Sequence, residues 1–235
     1  VVFIPVSDDN PLRSIQLQWV TISLIAANVI VFLLSKYQTE PAALASFALV
    51  PAEFFAGGTP VLGQTLQVPE ALTLVTYQFM HVDALHLASN MLFLWVFGDN
   101  VEDAMGHLKF LAFYLLSGVA GGLAHAALWP TSASPLIGAS GAVAGVIAAY
   151  LMLHPRVRVW VLAFRFIPLK IAAVWVLGVW VAMQFVMVLL APMDPPIAWW
   201  AHIGGMAAGA VLVLFLRRRG VALFDRGLQA TAAKP

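Results

Sequence analysis

The chain has no cysteine, which excludes a disulfide framework and a thiol nucleophile. Charge is nearly as scarce. Only 10% of residues are Asp, Glu, Lys or Arg, against about 25% in an ordinary soluble domain. The net charge of +1 comes without a basic stripe of the kind that binds nucleic acid, so no nucleic-acid partner is expected. Carboxylates are missing altogether between Asp103 and Asp194. What is left is apolar, 62% of 235 residues. These proportions predict one integral membrane domain. The first apolar run starts near Gln16, is long enough to span and has no small-residue cleavage site after it, so no cleavable signal peptide is expected.

A bilayer core of about 30 Å takes roughly 20 helical residues. Six candidate spans fit: Gln16 to Leu34, Ala84 to Phe97 with its helix continuing toward Gly106, Leu108 to Leu128, a short one at Ser140 to Leu153, Lys170 to Leu190, and Trp199 to Leu216. Residues 1–15 and 217–235 read as polar tails flanking a six-span domain over 16–216. Arg13, Lys109, Arg156, Arg158, Arg165, Lys170, Arg217, Arg218, Arg219, Arg226 and Lys234 fall on one side of this arrangement, and only Lys36 on the other. Both termini are therefore expected in the cytoplasm. The long first outer connection, Ser35 to about Val82, carries Pro41, Pro51, Pro60 and Pro69; Ala42 to Leu49 and Glu53 to Phe55 read as short interfacial helices within it.

Two polar side chains stand at the heads of apolar helices. Ser140 lies in Gly138-Ala139-Ser140-Gly141, and His202 in Ala201-His202-Ile203-Gly204-Gly205. Protonatable groups at that depth are costly and mark functional sites. Span four covers only about 21 Å at 1.5 Å per residue. If its inner end is at the cytoplasmic interface, Ser140 begins below the outer surface, at the depth His202 reaches about one turn into span six. Gly141 and Gly145, and Gly205 and Gly209, have the spacing that lets membrane helices approach closely. A serine at a helix start is commonly only a cap, but it also sets its hydroxyl beside a free backbone N–H that can stabilise an oxyanion. The pair reads as nucleophile and base.

His86 and Asn90 open span two from the same side and share a face at i, i+4, where both can donate to a developing negative oxygen. The alternative is helix–helix glue. His81, Asp83 and His86 make a poor metal set, and neither metal nor other cofactor is expected. Asp99, Glu102 and Asp103 lie at the cytoplasmic end of span two, and Asp194 is in the outer loop before span six. A Ser–His dyad without an orienting carboxylate is therefore expected, with His202 neutral at rest.

These residues resemble the rhomboid intramembrane serine proteases. The resemblance is carried by His81 and His86-x-x-x-Asn90, then Gly98, Val101-Glu102 and Gly106, then Gly138-x-Ser140-Gly141, and Ala201-His202-x-x-Gly205, in order across all six spans. It implies an all-α, six-helix polytopic bundle with a long outer first loop. It also implies that Ser140 is nucleophile, His202 base, and His86, Asn90 and the Ser140 N–H the oxyanion hole. His81, Gly138, Gly141 and Gly205 would support the site, and Glu102 would tie down the cytoplasmic end of span two. Span five and the loop Met193 to Ile197 would act as gate and cap, with Trp175, Trp180 and Phe185 as candidate gate contacts. Two features depart from the pattern. There is no Trp-Arg dipeptide in the first outer loop, and Ala144 stands where some members stack an aromatic ring on the histidine, so His202 must be oriented by another neighbour.

The expected activity is hydrolysis of peptide bonds in or near the transmembrane segments of single-span membrane proteins, through an acyl-enzyme. Unwinding of the substrate helix would expose the scissile carbonyl. A bacterial inner membrane is the expected setting, with the site opening outward. The alternatives are a non-catalytic rhomboid-like protein that binds and escorts membrane proteins, and a transporter or channel, for which no inverted repeat or midplane charge pathway is visible. Substrate identity and oligomeric state are not readable from the chain.

Overall fold

The computed structural model describes residues 3–37, 46–57, 68–163, 166–190 and 197–225. Along the chain these form strand β1 (Phe3–Asp8) and helices α1 (Trp19–Tyr37), α2 (Pro51–Phe55) and α3 (Glu70–Thr76), then a 3₁₀ turn (Tyr77–Phe79). Helices α4 (Ala84–Met105), α5 (His107–Leu128) and α6 (Ser140–Leu153) follow, then strands β2 (Arg158–Ala163) and β3 (Ile167–Ala172), and helices α7 (Ala173–Leu190) and α8 (Trp199–Leu216). The protein is a mostly helical polytopic membrane bundle. Helices α1, α5, α7 and α8 are long and apolar enough to cross a bilayer, and α6 is a shorter apolar helix. Helix α4 carries Asp99, Glu102 and Asp103 in its last turns.

Helix α6 is the hub. From Gly141 to Tyr150 only Ala148 escapes full burial, which is why this short helix has no polar face. Its tyrosine, Tyr150, packs edge-on against Phe97 of α4 with ring centroids 4.8 Å apart. Against α8 the packing has no side chains between the backbones. A methyl group added to Gly205 would overlap the carbonyl oxygen of Gly141, and one on Gly209 would overlap that of Gly145. Glycine at both positions allows the two axes to approach this closely.

The charged end of α4 fixes the start of α1. Glu102 is fully buried and accepts from the N–H groups of Val20 (3.0 Å) and Thr21 (2.8 Å) and from the Thr21 hydroxyl (2.7 Å). Asp103 accepts from the N–H groups of Arg13, Ser14 and Ile15. These donors belong to a helix N-terminus and its approach, where intrahelical partners are lacking. The helix therefore runs Trp19–Tyr37, about three residues later than hydropathy alone predicts, because a distant carboxylate sets its first turn.

Two expectations need correcting. Residues 3–8, read above as tail, form β1, paired antiparallel with β2 from Phe3↔Ala163 to Asp8↔Val159. Strand β3 completes a sheet in the order β1-β2-β3. Span five correspondingly shortens to Ala173–Leu190, since Ile167 to Ala172 is strand. In β2, Val159, Val161 and Ala163 are buried while Arg158 and Trp160 are exposed, the period of two of a strand. Pro5 and Pro168 lie in the two outer strands, where a missing N–H is tolerated. Asp8 ties the sheet to the bundle by accepting from the Tyr150 hydroxyl and from the Asn100 side chain. Chain beyond Leu216 also packs back: the N–H of Arg218 donates to the Ala104 carbonyl (2.8 Å), and those of Phe224 and Asp225 donate to Met152 and Leu153.

The first outer connection also differs from expectation. Within it, the described stretch from Ser46 to Phe55 is not an interfacial helix pair. Leu49 and Leu136 exchange both backbone hydrogen bonds (3.1 and 2.8 Å), which draws Ala48, Leu49 and Val50 into the protein. Only α2 is helical there, with Pro51 at its favoured first position. Residues 42–45 of the expected first interfacial helix lie outside the described residues.

Candidate active site

Ser140 is the first residue of α6, and the cap position before it, Ala139, makes no side-chain cap bond. The Ser140 hydroxyl faces α8. It lies 2.8 Å from His202 Nε2. His202 is in the first turn of α8 and is buried, whereas Ser140 is half-buried. The glycine contacts below the pair explain the proximity: with Gly205 against Gly141, the helix heads above them must converge.

The imidazole is held from its other side. Its Nδ1 lies 2.7 Å from Oε1 of Gln184 on α7. Trp180 and Trp199 flank the ring, each with its centroid 5.9 Å away, Trp180 tilted and Trp199 edge-on. These side chains come from α7 and α8 and answer what Ala144 leaves open. No carboxylate among the described residues is hydrogen-bonded to His202 in this arrangement. Asp194 and residues 193–196 of the expected cap lie outside the described residues. Trp175 and Phe185, proposed above as gate contacts, are exposed at 70% and 54% on the outer face of α7, while Trp180 turns inward.

His86 sits at the start of α4, whose N-terminus is capped by Asp83 accepting from the His86 N–H at 2.7 Å. That bond holds the Asp83 carboxyl below its usual range. The imidazole packs on Gly138. A Cβ built there would stand 2.9 Å from His86 Nε2 and 3.9 Å from Ser140 Oγ, so ring and hydroxyl share one small space. Gly138 adopts φ +127°, a conformation that favours glycine. Asn90, one turn further in, is buried, and its amide donates to His81 Nε2 at 3.1 Å. For that acceptor His81 must be neutral, and burial pushes its pKa down to about 4. The His81 and His86 rings meet edge-on, 5.0 Å apart. Thus the structure brings together Ser140, His202, Gly138, Gly141, Gly205 and His86. Asn90 and His81 form a linked pair behind them.

Gln184 was missed in the sequence, although a signal was present. Tryptophan apart, it is the only hydrogen-bonding side chain between Val174 and Leu190. A lone amide in such a run is expensive in lipid and marks an interior contact.

A membrane-embedded helical bundle with a serine and a histidine in contact at two helix heads defines a narrow class. The family model described as Rhomboid domain matches residues 68–219, and the chain belongs to the rhomboid family. It is 27% identical over 162 residues to RHOMBOID-like protein 12, mitochondrial, of Arabidopsis thaliana, covering 62% of this chain and 46% of that one. Rhomboid protein 1, mitochondrial, of Saccharomyces cerevisiae is 33% identical over 103 residues, 41% of this chain and 29% of its own. Rhomboid protease GluP of Bacillus subtilis is 40% identical over 78 residues, 33% of this chain and 15% of its own. The chain thus spans less than half the length of each of these three relatives.

Proposed function

We propose that the protein is an intramembrane serine endopeptidase that cuts single-span membrane proteins in or near their transmembrane segments. The observation that carries this reading is the 2.8 Å contact between Ser140 Oγ and His202 Nε2 at two apolar helix heads. In the proposed reaction Ser140 attacks the scissile carbonyl as His202 takes its proton. The tetrahedral oxyanion forms beside the Ser140 N–H and His86, with Asn90 adding a donor one turn in. His202 returns the proton to the leaving amine, and water hydrolyses the acyl-enzyme by the reverse sequence. Support also comes from kinship with a relative whose name includes protease, GluP of Bacillus subtilis.

Reconstitution with a panel of single-span substrates tests the reading, with products mapped by mass spectrometry. Cuts within or beside the apolar segment, absent with Ser140→Ala, are expected. Intact substrates that nonetheless co-purify with the protein would favour the escort alternative.

The orientation is part of the same proposal: both termini cytoplasmic, the Ser140 end outward, in a bacterial-type inner membrane. Because the chain has no cysteine, a membrane-impermeant maleimide reads single substitutions cleanly. Thr131→Cys should label in intact cells and Arg219→Cys only after lysis; the reverse would invert the topology.

A further inference from the structure

Helices α1 and α7 are the least buried of the helices long enough to cross a bilayer, and the distal half of α7 makes one buried polar contact. Beyond Leu177 the only buried side chain on it is Gln184, 1% exposed, while Val179, Met183, Phe185, Val186, Leu189 and Leu190 face outward. An amide in that position has a direction. Gln184 Nε2 donates to the Trp180 carbonyl at 3.0 Å. A carbonyl can only accept, so the NH₂ group must point there and Oε1 must point at His202. Since Oε1 can only accept in turn, the hydrogen on the imidazole must be on Nδ1. Nε2 is then left with its lone pair, 2.8 Å from the Ser140 hydroxyl. One backbone carbonyl on α7 thus fixes, through two hydrogen bonds, which nitrogen of His202 can act as base.

We propose that Gln184 is a positioning residue that holds His202 in its base-competent tautomer, and that it does so only while α7 is seated against α8. The inference rests on the serine-protease reading above and deepens it. When Ser140 gives up its proton, the Nδ1–H donates more strongly to Oε1, so the same amide stabilises the imidazolium without a buried carboxylate, which would be far more costly on a helix facing lipid. Gln184 is the only fully buried side chain on distal α7, and Trp180 one turn before it packs on the same imidazole, so the seat of that helix and the orientation of the ring are coupled. Swinging α7 outward removes the Nδ1 acceptor in the same movement.

The alternative is that Gln184 only glues α7 to α8. The two are separated by the rate and pH dependence of Ser140 labelling with a fluorophosphonate on purified full-length protein. Gln184→Leu should lower the labelling rate about 10- to 100-fold, the consequence of leaving a buried donor unpaired. Gln184→Glu should keep the high-pH rate within about threefold and move the pH midpoint up by about one unit or more, since a carboxylate beside Nδ1 favours the imidazolium. A role in packing alone would leave the Leu variant labelling at the wild-type rate, and that result, or a Glu variant whose midpoint does not move, overturns the proposal. The ¹⁵N spectrum of histidine-labelled wild-type protein decides independently of either variant. A protonated Nδ1 with an unprotonated Nε2 on His202 is expected, and the opposite tautomer refutes it. Wild-type protein that never labels would defeat the protease reading instead, while the ¹⁵N result would still decide the role of Gln184.

Discussion

The backbone of Gly205 on α8 lies directly against the carbonyl oxygen of Gly141 on α6, leaving no room for a single methyl group. The contact sits one turn below the Ser140–His202 pair and sets the distance between the two helices. Gly205→Ala must therefore push the axes apart. Overpacking of this kind typically costs about 1–3 kcal/mol, and here it also lengthens the Oγ–Nε2 contact. The expected outcome is a lower melting temperature in detergent together with loss of probe labelling at Ser140. A Gly205→Ala protein that labels at the wild-type rate would show that the close approach is not needed.

Glu102 satisfies two backbone N–H groups and one hydroxyl at the start of α1 while fully buried. Glu102→Ala leaves those donors without their acceptor, at about 3 kcal/mol or more in total. The loss should appear as reduced thermal stability, with labelling still detectable at low temperature because α1 does not contribute to the Ser140 pair. Unchanged stability would mean that water replaces the carboxylate without cost.

His86 shares with Ser140 the space above Gly138. His86→Ala should reduce turnover by about 10²–10³-fold, the usual effect of losing one oxyanion donor, with little change in melting temperature since the ring is only half-buried. Turnover at the wild-type level would remove His86 from the oxyanion site.

The pH dependence of stability has a readable sign at His81. Its pKa in the folded protein, about 4, is below the ordinary 6.5. Between those values the unfolded chain binds a proton that the folded one does not. Stability contributed by the neutral ring is present above pH 6.5, declines as pH falls toward about 4 and changes no further below. His81→Gln cannot titrate but can still accept from Asn90. Its melting temperature should therefore fall less than that of the wild type between about pH 7 and about pH 4.5. Equal slopes would mean that His81 already takes a proton in the folded state.

Much of this architecture was legible because it is local. Helix α6 begins at Ser140 and ends at Leu153, and α8 runs from Trp199 to Leu216, as hydropathy and small-residue spacing indicate. Ser140, His202 and the glycines below them also stand out as polar or small residues in apolar runs. What escaped depends on partners far away in the chain. Strand β1 pairs with residues about 155 positions later, and neither strand is long or apolar enough to announce itself beside membrane helices. The start of α1 is set by Glu102 rather than by its own residues. Gln184 was visible as an isolated amide, but its partner depends on how α7 is rotated, which a uniformly apolar helix does not encode.

In the proposed reaction the contact with His202 makes the Ser140 hydroxyl nucleophilic. Reaction of the purified protein with a fluorophosphonate, followed by mass-spectrometric location of the adduct, is the test. A single adduct on Ser140, lost in His202→Ala and in Ser140→Ala, is the predicted result. Labelling that survives in Ser140→Ala, or a wild-type protein that remains unmodified, would contradict it.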